Sequence, residues 1–192
     1  MNRHSSLAFV TAWALTAALG TAACGSGDTP APPASAAATP APSAGGAGFF
    51  GGTDLAWVEI NIAMDEELLP LLALAPANGS SPQVKALAAE LTTFHQDELT
   101  QLRALHDEAK LPSENPHKGM PMPGMVTPEQ VTAATKVRGA AFDKLLTEAL
   151  KAHFEQGVNL AGSEGKAGLE PRTKELAVKV ISTRQKYLKD LG

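Results

Sequence analysis

Residues 54–103 align without a gap onto residues 143–192 at a constant offset of 89 positions. Identical pairs include Asp54/Asp143, Glu59/Glu148, Glu66/Glu155, Leu71/Leu160, Gly79/Gly168, Pro82/Pro171, Lys85/Lys174, Leu87/Leu176, Ala88/Ala177, Gln96/Gln185, Leu99/Leu188 and Leu102/Leu191. Two copies of one unit imply a pseudo-symmetric fold. Each copy reads as two amphipathic helices, and neither helix can bury its apolar stripe alone. Stacking copy on copy makes one core, and a site is expected between the copies.

In copy one, the first helix is expected from about Thr53, with Asp54 in its first turn and Trp57, Ile60, Met64, Leu68 and Leu71 on one stripe. Pro70 lacks the N–H that a helix needs, so the regular ladder is expected to break near Leu69. Residues 75–80, with Pro76 and Asn78-Gly79, read as a turn. Ser81-Pro82 then supplies an N-cap and a first helical residue. Val84, Leu87, Leu91, Phe94, Glu98, Leu102 and Leu105 follow at helical spacing. Residues 110–126 are rich in Pro, Gly and Met and read as an irregular connector. Thr127-Pro128-Glu129-Gln130 resembles a capping box that restarts helix. Copy two places Phe142, Leu145, Leu146, Ala149, His153 and Leu160 on one side. A turn is expected over Gly162–Gly168, and Pro171 opens a last helix with Leu176, Val180, Tyr187, Leu188 and Leu191 inward. The fold class is therefore all-α, a four-helix bundle of two repeated hairpins.

Residues 1–23 read as an export leader. Arg3 provides the positive end, Leu7 to Gly20 is an apolar stretch too short for a permanent span, and small residues lead to Cys24. Thr21-Ala22-Ala23-Cys24 resembles a bacterial lipobox, in which the cysteine becomes the acylated N-terminus. Several acyl chains on one residue make a stable anchor to membrane lipid. With one cysteine in the chain there is no internal disulfide to staple the fold. Residues 24–52, almost entirely Ala, Pro, Gly, Ser and Thr after the lipidated Cys24, read as a disordered tether, and 53–192 as the folded domain. The expected location is the cell membrane, lipid-anchored on the exported side. The chain has 16 Lys+Arg against 20 Asp+Glu, so no basic footprint for nucleic acid is present.

The opening Ser80-Ser81-Pro82-x-Val84-Lys85-x-Leu87-Ala88, the connector Met122-Pro123-Gly124-Met125 and Ala140-Ala141-Phe142-Asp143 resemble the domain-of-unknown-function family numbered 305. The resemblance covers essentially residues 53–192. It implies a ferritin-like helical bundle and, for some members, an association with copper binding and copper tolerance. The family's hallmark is Met-Ile-x-His-His in the first helix of each copy. Here its His-His positions read Met64-Asp65 and His153-Phe154. The Gln-x-x-Glu pattern of the second helix reads His95-x-x-Glu98, with Arg184-x-x-Tyr187 as its repeat counterpart.

Two constellations could carry chemistry. His117, Met120, Met122 and Met125 on the connector, with His153 as a further donor, form a soft set suited to copper, because thioethers and imidazole both bind it. The plain alternative is that Met-Pro-Gly-Met is a hydrophobic clip holding the connector on the bundle. The second set is interior: Met64, His95, Glu98 and His153 are expected to converge near the middle of the bundle. Its plain alternative is a satisfied buried network with Arg184, Tyr187 or Gln185 as partners, because an unpaired interior charge is costly. The one Glu-x-x-His, Glu114 to His117, falls on the Pro-rich connector and not on a helix, and no Gly-rich phosphate loop, Gly-x-Ser-x-Gly or His-Glu-x-x-His occurs. The expectation is a binding protein and not an enzyme: a divergent copper-type envelope lipoprotein with weak or lost metal binding. The alternative is an interaction or scaffold bundle at the membrane surface.

Overall fold

A computed structural model of the chain describes residues 49–191. The leader, Cys24 and the tether up to residue 48 lie outside the described residues. Within them are six helices and no strand: α1 Gly52–Leu72, α2 Ala75–Asn78, α3 Pro82–Glu108, α4 Pro128–Ala134, α5 Ala140–Ala167 and α6 Pro171–Leu191. The four long helices pair as α1 with α3 and α5 with α6, and α1 against α5 joins the two hairpins. This is the four-helix bundle of repeated hairpins that the 89-residue offset predicts.

The helix starts are written in the sequence. Val84 N–H donates to Ser81 Oγ at 3.3 Å, with Pro82 in the first helical position. At α4, Gln130 N–H donates to Thr127 Oγ at 3.3 Å and Thr127 N–H donates to Gln130 Oε1 at 2.8 Å, a reciprocal capping box.

The repeated aspartates clasp the copies together. Leu169 N–H and Glu170 N–H, at the opening of α6, each donate to Asp54 Oδ1 at 3.0 Å. Ser80 N–H and Ser81 N–H, the equivalent pair before α3, donate to Asp143 at 3.1 and 2.9 Å. Each copy's first helix thus supplies the carboxylate that caps the other copy's second helix, where orphan N–H groups and the helix dipole both favour an anion.

Two expectations are corrected. Pro70 does not end α1, which continues to Leu72. Pro70 has no N–H to give Glu66 O, so the ladder lacks one bond as expected, but the helix carries on past this exposed position for two more residues. The turn expected over Gly162–Gly168 is much shorter, since α5 runs through Ala167 with Gly162 and Gly165 inside it. Each interior glycine costs about 1 kcal/mol relative to alanine. Burial of Ala161 and Glu164 on the inward side of this stretch offsets that cost.

The core has two large apolar halves and a small third cluster around Met64. One half gathers Leu68, Leu71, Leu72, Leu91, Phe142, Leu146, Leu150, Phe154 and Tyr187; the other gathers Trp57, Val58, Ile62, Leu99, Leu102, Ala161, Leu176 and Val180. Every long helix carries buried polar residues at or close to the switch from one half to the other: Asn61 and Asp65 on α1, His95 and Glu98 on α3, His153 on α5, Arg184 on α6.

Candidate functional site

The polar residues at these switch points form one layer across the middle of the bundle. Asp65, His95, His153 and Arg184 are fully buried and Glu98 is 3% exposed. His95 Nδ1 lies 2.9 Å from Asp65 Oδ1. Arg184 Nη2 donates to Glu98 Oε1 at 2.9 Å and to Asp65 Oδ1 at 3.3 Å, and Nη1 donates to Asn61 Oδ1 at 3.4 Å. His153 Nε2 stands 3.7 Å from Asp65 Oδ1, beyond hydrogen-bond range. The guanidinium needs Gly157 beneath it, because a Cβ there would lie 2.5 Å from Nη1 and 2.8 Å from Cζ.

The charges in this layer settle one another. Burial alone would raise the Asp65 carboxyl, but the His95 and His153 rings and the Arg184 guanidinium hold it well below the usual carboxylate range. Glu98 is pushed up to about 7 by burial and by the Asp65 charge, with Arg184 opposing. Burial lowers His153 to about 4, against its contact with Asp65, so its ring is neutral at pH 7.

Ligand atoms of Asp65, His95 and His153 all lie within 4.8 Å of one another. Asp65 Oδ2, His95 Nε2 and both ring nitrogens of His153 are buried without a hydrogen-bond partner. The donor types suit a metal ion, but the charge does not. An ion touching Asp65 would share a dry interior with the guanidinium already 3.3 Å from that carboxylate. As built, the layer is only partly paired, but Arg184 already supplies its cation to Asp65 and Glu98, and with that charge in place it does not fit a metal.

Of the residues singled out in the sequence, His95, Glu98 and His153 meet here, and Arg184 is the partner of Glu98. Tyr187 bonds Glu90 instead, at 2.8 Å, and Gln185 is exposed. Met64 is fully buried but sits in a different cluster, with Ala63, Met125 and the partly buried Met122. Asp65 is the member that sequence reasoning missed. It reads as a departure from a His-His pair, yet Trp57, Asn61, Asp65, Leu68 and Leu72 follow a core spacing, and that was the available signal.

The connector lies along α1. Asn115 Nδ2 donates to Glu59 O at 2.8 Å, and Gly119 N–H donates to Glu67 Oε1. Gly124, with φ +74°, presses against α5, where a Cβ would lie 2.6 Å from Ala152 O. Only glycine fits that backbone and that approach. Met-Pro-Gly-Met therefore turns Met122 and Met125 inward toward Met64. Met120 stays 42% exposed, and His117 is half-buried with Nδ1 unpartnered. The predicted set thus divides: Met122 and Met125 come together with Met64, while His153 belongs to the buried layer.

The description "Domain of unknown function (DUF305)" fits residues 58–192. No curated protein matches the chain. A secreted DUF305 protein from Streptomyces coelicolor superposes with a TM-score of 0.64 at 17% identity, covering 72% of this chain and 89% of that one. A DUF305 fragment from Deinococcus radiodurans gives 0.65 at 15% identity over 74% and 94%. CopM in its Cu(I)-bound form gives 0.62 at 15% identity over 73% and 94%. At such identities the likeness concerns the fold, and with the family match it leads to one conclusion: the chain belongs to the DUF305 family.

Proposed function

We propose that this protein is an exported lipoprotein, anchored to the membrane through Cys24, that binds a soft metal of the copper type weakly through its connector methionines and not through the buried layer. It works by binding and not by catalysis. The observation that supports this most is the division of the predicted donors. Arg184 fills the buried layer, whereas Met122 and Met125 from the connector share one cluster with Met64 of α1. Thioethers prefer Cu(I) and Ag(I). CopM, which has this fold, has been solved with Cu(I) bound.

Titrating Ag(I) into the detergent-solubilised full chain tests this reading. Saturable binding that weakens at least about tenfold in Met122→Leu/Met125→Leu is expected, on the scale of losing metal-supporting contacts. Non-stoichiometric binding unchanged by those substitutions rules the reading out. Cys24→Ser should release the protein from membranes, and unchanged retention would remove the anchor from the account. The scaffold alternative has less behind it. Large exposed apolar side chains among the described residues are Phe49, Met120, Leu169 and Val178, on the connector, on α6 and at the start of α1 and α6.

A further inference from the structure

We propose that Arg184 is the resident cation of a metal-shaped centre, and that a small neutral residue in its place turns Asp65, His95 and His153 into a site for one divalent ion of the Zn(II) or Co(II) class. Three donors come from three helices, with ligand atoms within 4.8 Å of one another. Four of their polar atoms, Asp65 Oδ2, His95 Nε2 and both nitrogens of His153, are buried and unpartnered. Buried polar groups normally find partners, so this many orphans in one spot is what a ligand shell looks like without its ion. Two imidazoles and a carboxylate are a usual set for Zn(II) or Co(II).

What closes the site is one side chain. Arg184 reaches Asp65 and Glu98 with the same nitrogen and fills the space over Gly157, where even a methyl group would clash. Its position is the copy-two counterpart of His95, so α6 contributes a fixed positive charge where the repeat offers a donor. Shortening it leaves the volume over Gly157, two carboxyl groups and two rings facing an unfilled space. A divalent cation then meets negative charge without a competing guanidinium.

The test uses the detergent-solubilised full chain and Co(II), whose visible absorption reports a nitrogen/oxygen shell in a dry site. Arg184→Ala is expected to bind one Co(II) per chain, about a hundredfold more tightly than the wild type. Adding His153→Ala should abolish it. Should Arg184→Ala be unfolded without metal, Co(II) is expected to restore its helical circular dichroism, because binding energy then becomes folding energy. Three results would overturn the proposal: a folded Arg184→Ala that binds no better than the wild type, an unfolded one that Co(II) does not refold, or a wild-type chain that already binds one Co(II) lost on His153→Ala. Connector binding is read with Ag(I) and sulfur donors, so the two proposals can fail separately.

Discussion

His95 and Arg184 hold the same place in the two copies, and both reach one oxygen: His95 Nδ1 is 2.9 Å and Arg184 Nη2 is 3.3 Å from Asp65 Oδ1. The duplication kept the address and changed the occupant. An imidazole on α3 faces a guanidinium on α6, and Asp65 on α1 answers both. The consequences for stability can be measured.

Arg184→Met should destabilise the fold by about 3–5 kcal/mol, the usual cost of leaving buried charge without its partner. Urea unfolding measures it. Adding Glu98→Gln should recover part of the loss, since Glu98 is bonded to the same Nη2. A loss below about 1 kcal/mol, the scale of a surface pair, would mean that the guanidinium contributes little to the core.

Gly157→Ala places a Cβ 2.5 Å from Arg184 Nη1. A cost of about 1–3 kcal/mol is expected from overpacking. A double-mutant cycle with Arg184→Met should show coupling, because the methyl group clashes with the arginine and not with the helix. Additive effects would place the clash elsewhere.

Asp54→Asn should cost about 1–2 kcal/mol at pH 7, as loss of a charged cap does. Although burial opposes it, hydrogen bonds from Glu164, Thr173 and the backbone of Gly51 and Glu170 hold Asp54 at about 2, below its ordinary 3.8. The folded state thus favours the ionised form. This stabilisation is present above pH 3.8 and is lost as pH falls through about 2, so Asp54→Asn should flatten the acid limb of the stability curve. An unchanged limb would contradict this.

Glu164 gives the opposite sign. Burial first, and the neighbouring Asp54, raise it from 4.5 to about 7. Thr173 has one hydroxyl proton, yet its Oγ stands 2.8 Å from Asp54 Oδ1 and 2.6 Å from Glu164 Oε1. The same oxygen is also 2.8 Å from Glu170 O, so one proton cannot serve all three acceptors, and a protonated Glu164 supplies a hydrogen bond to the Asp54 carboxylate. Its stabilisation is complete below pH 4.5 and is lost as pH rises through about 7. Glu98 acts in the same direction over the same range. His153 opposes them, losing its contribution as pH falls from 6.5 through about 4. Glu164→Gln should make the slope of stability against pH less negative between pH 4.5 and 7, and the same slope in both proteins would contradict the shared proton.

Much of the fold was legible because repetition fixes topology. The 89-residue offset shows two hairpins, and Ser81-Pro82 and Thr127 to Gln130 mark helix starts with local chemistry. Glycines at 162 and 165 misled because what keeps that stretch helical is the burial of Glu164 against Thr173, a tertiary contact with no local signature. Pro70 misled because one missing ladder bond at an exposed position does not end a helix whose Leu71 and Leu72 are buried in the core. In the polar layer, spacing put His95 and Glu98 on one side of α3. Asp65 escaped notice because it read only as a departure from a His-His pair, and its partner Arg184 lies 119 residues further on.

The central claim is that Arg184 holds the buried layer and that soft metal goes to the connector methionines. X-ray absorption of the Cu(I)-loaded full chain tests it most directly. Sulfur neighbours that disappear in Met122→Leu/Met125→Leu are predicted. A nitrogen/oxygen shell that survives those substitutions and is lost on His95→Phe/His153→Phe would contradict it.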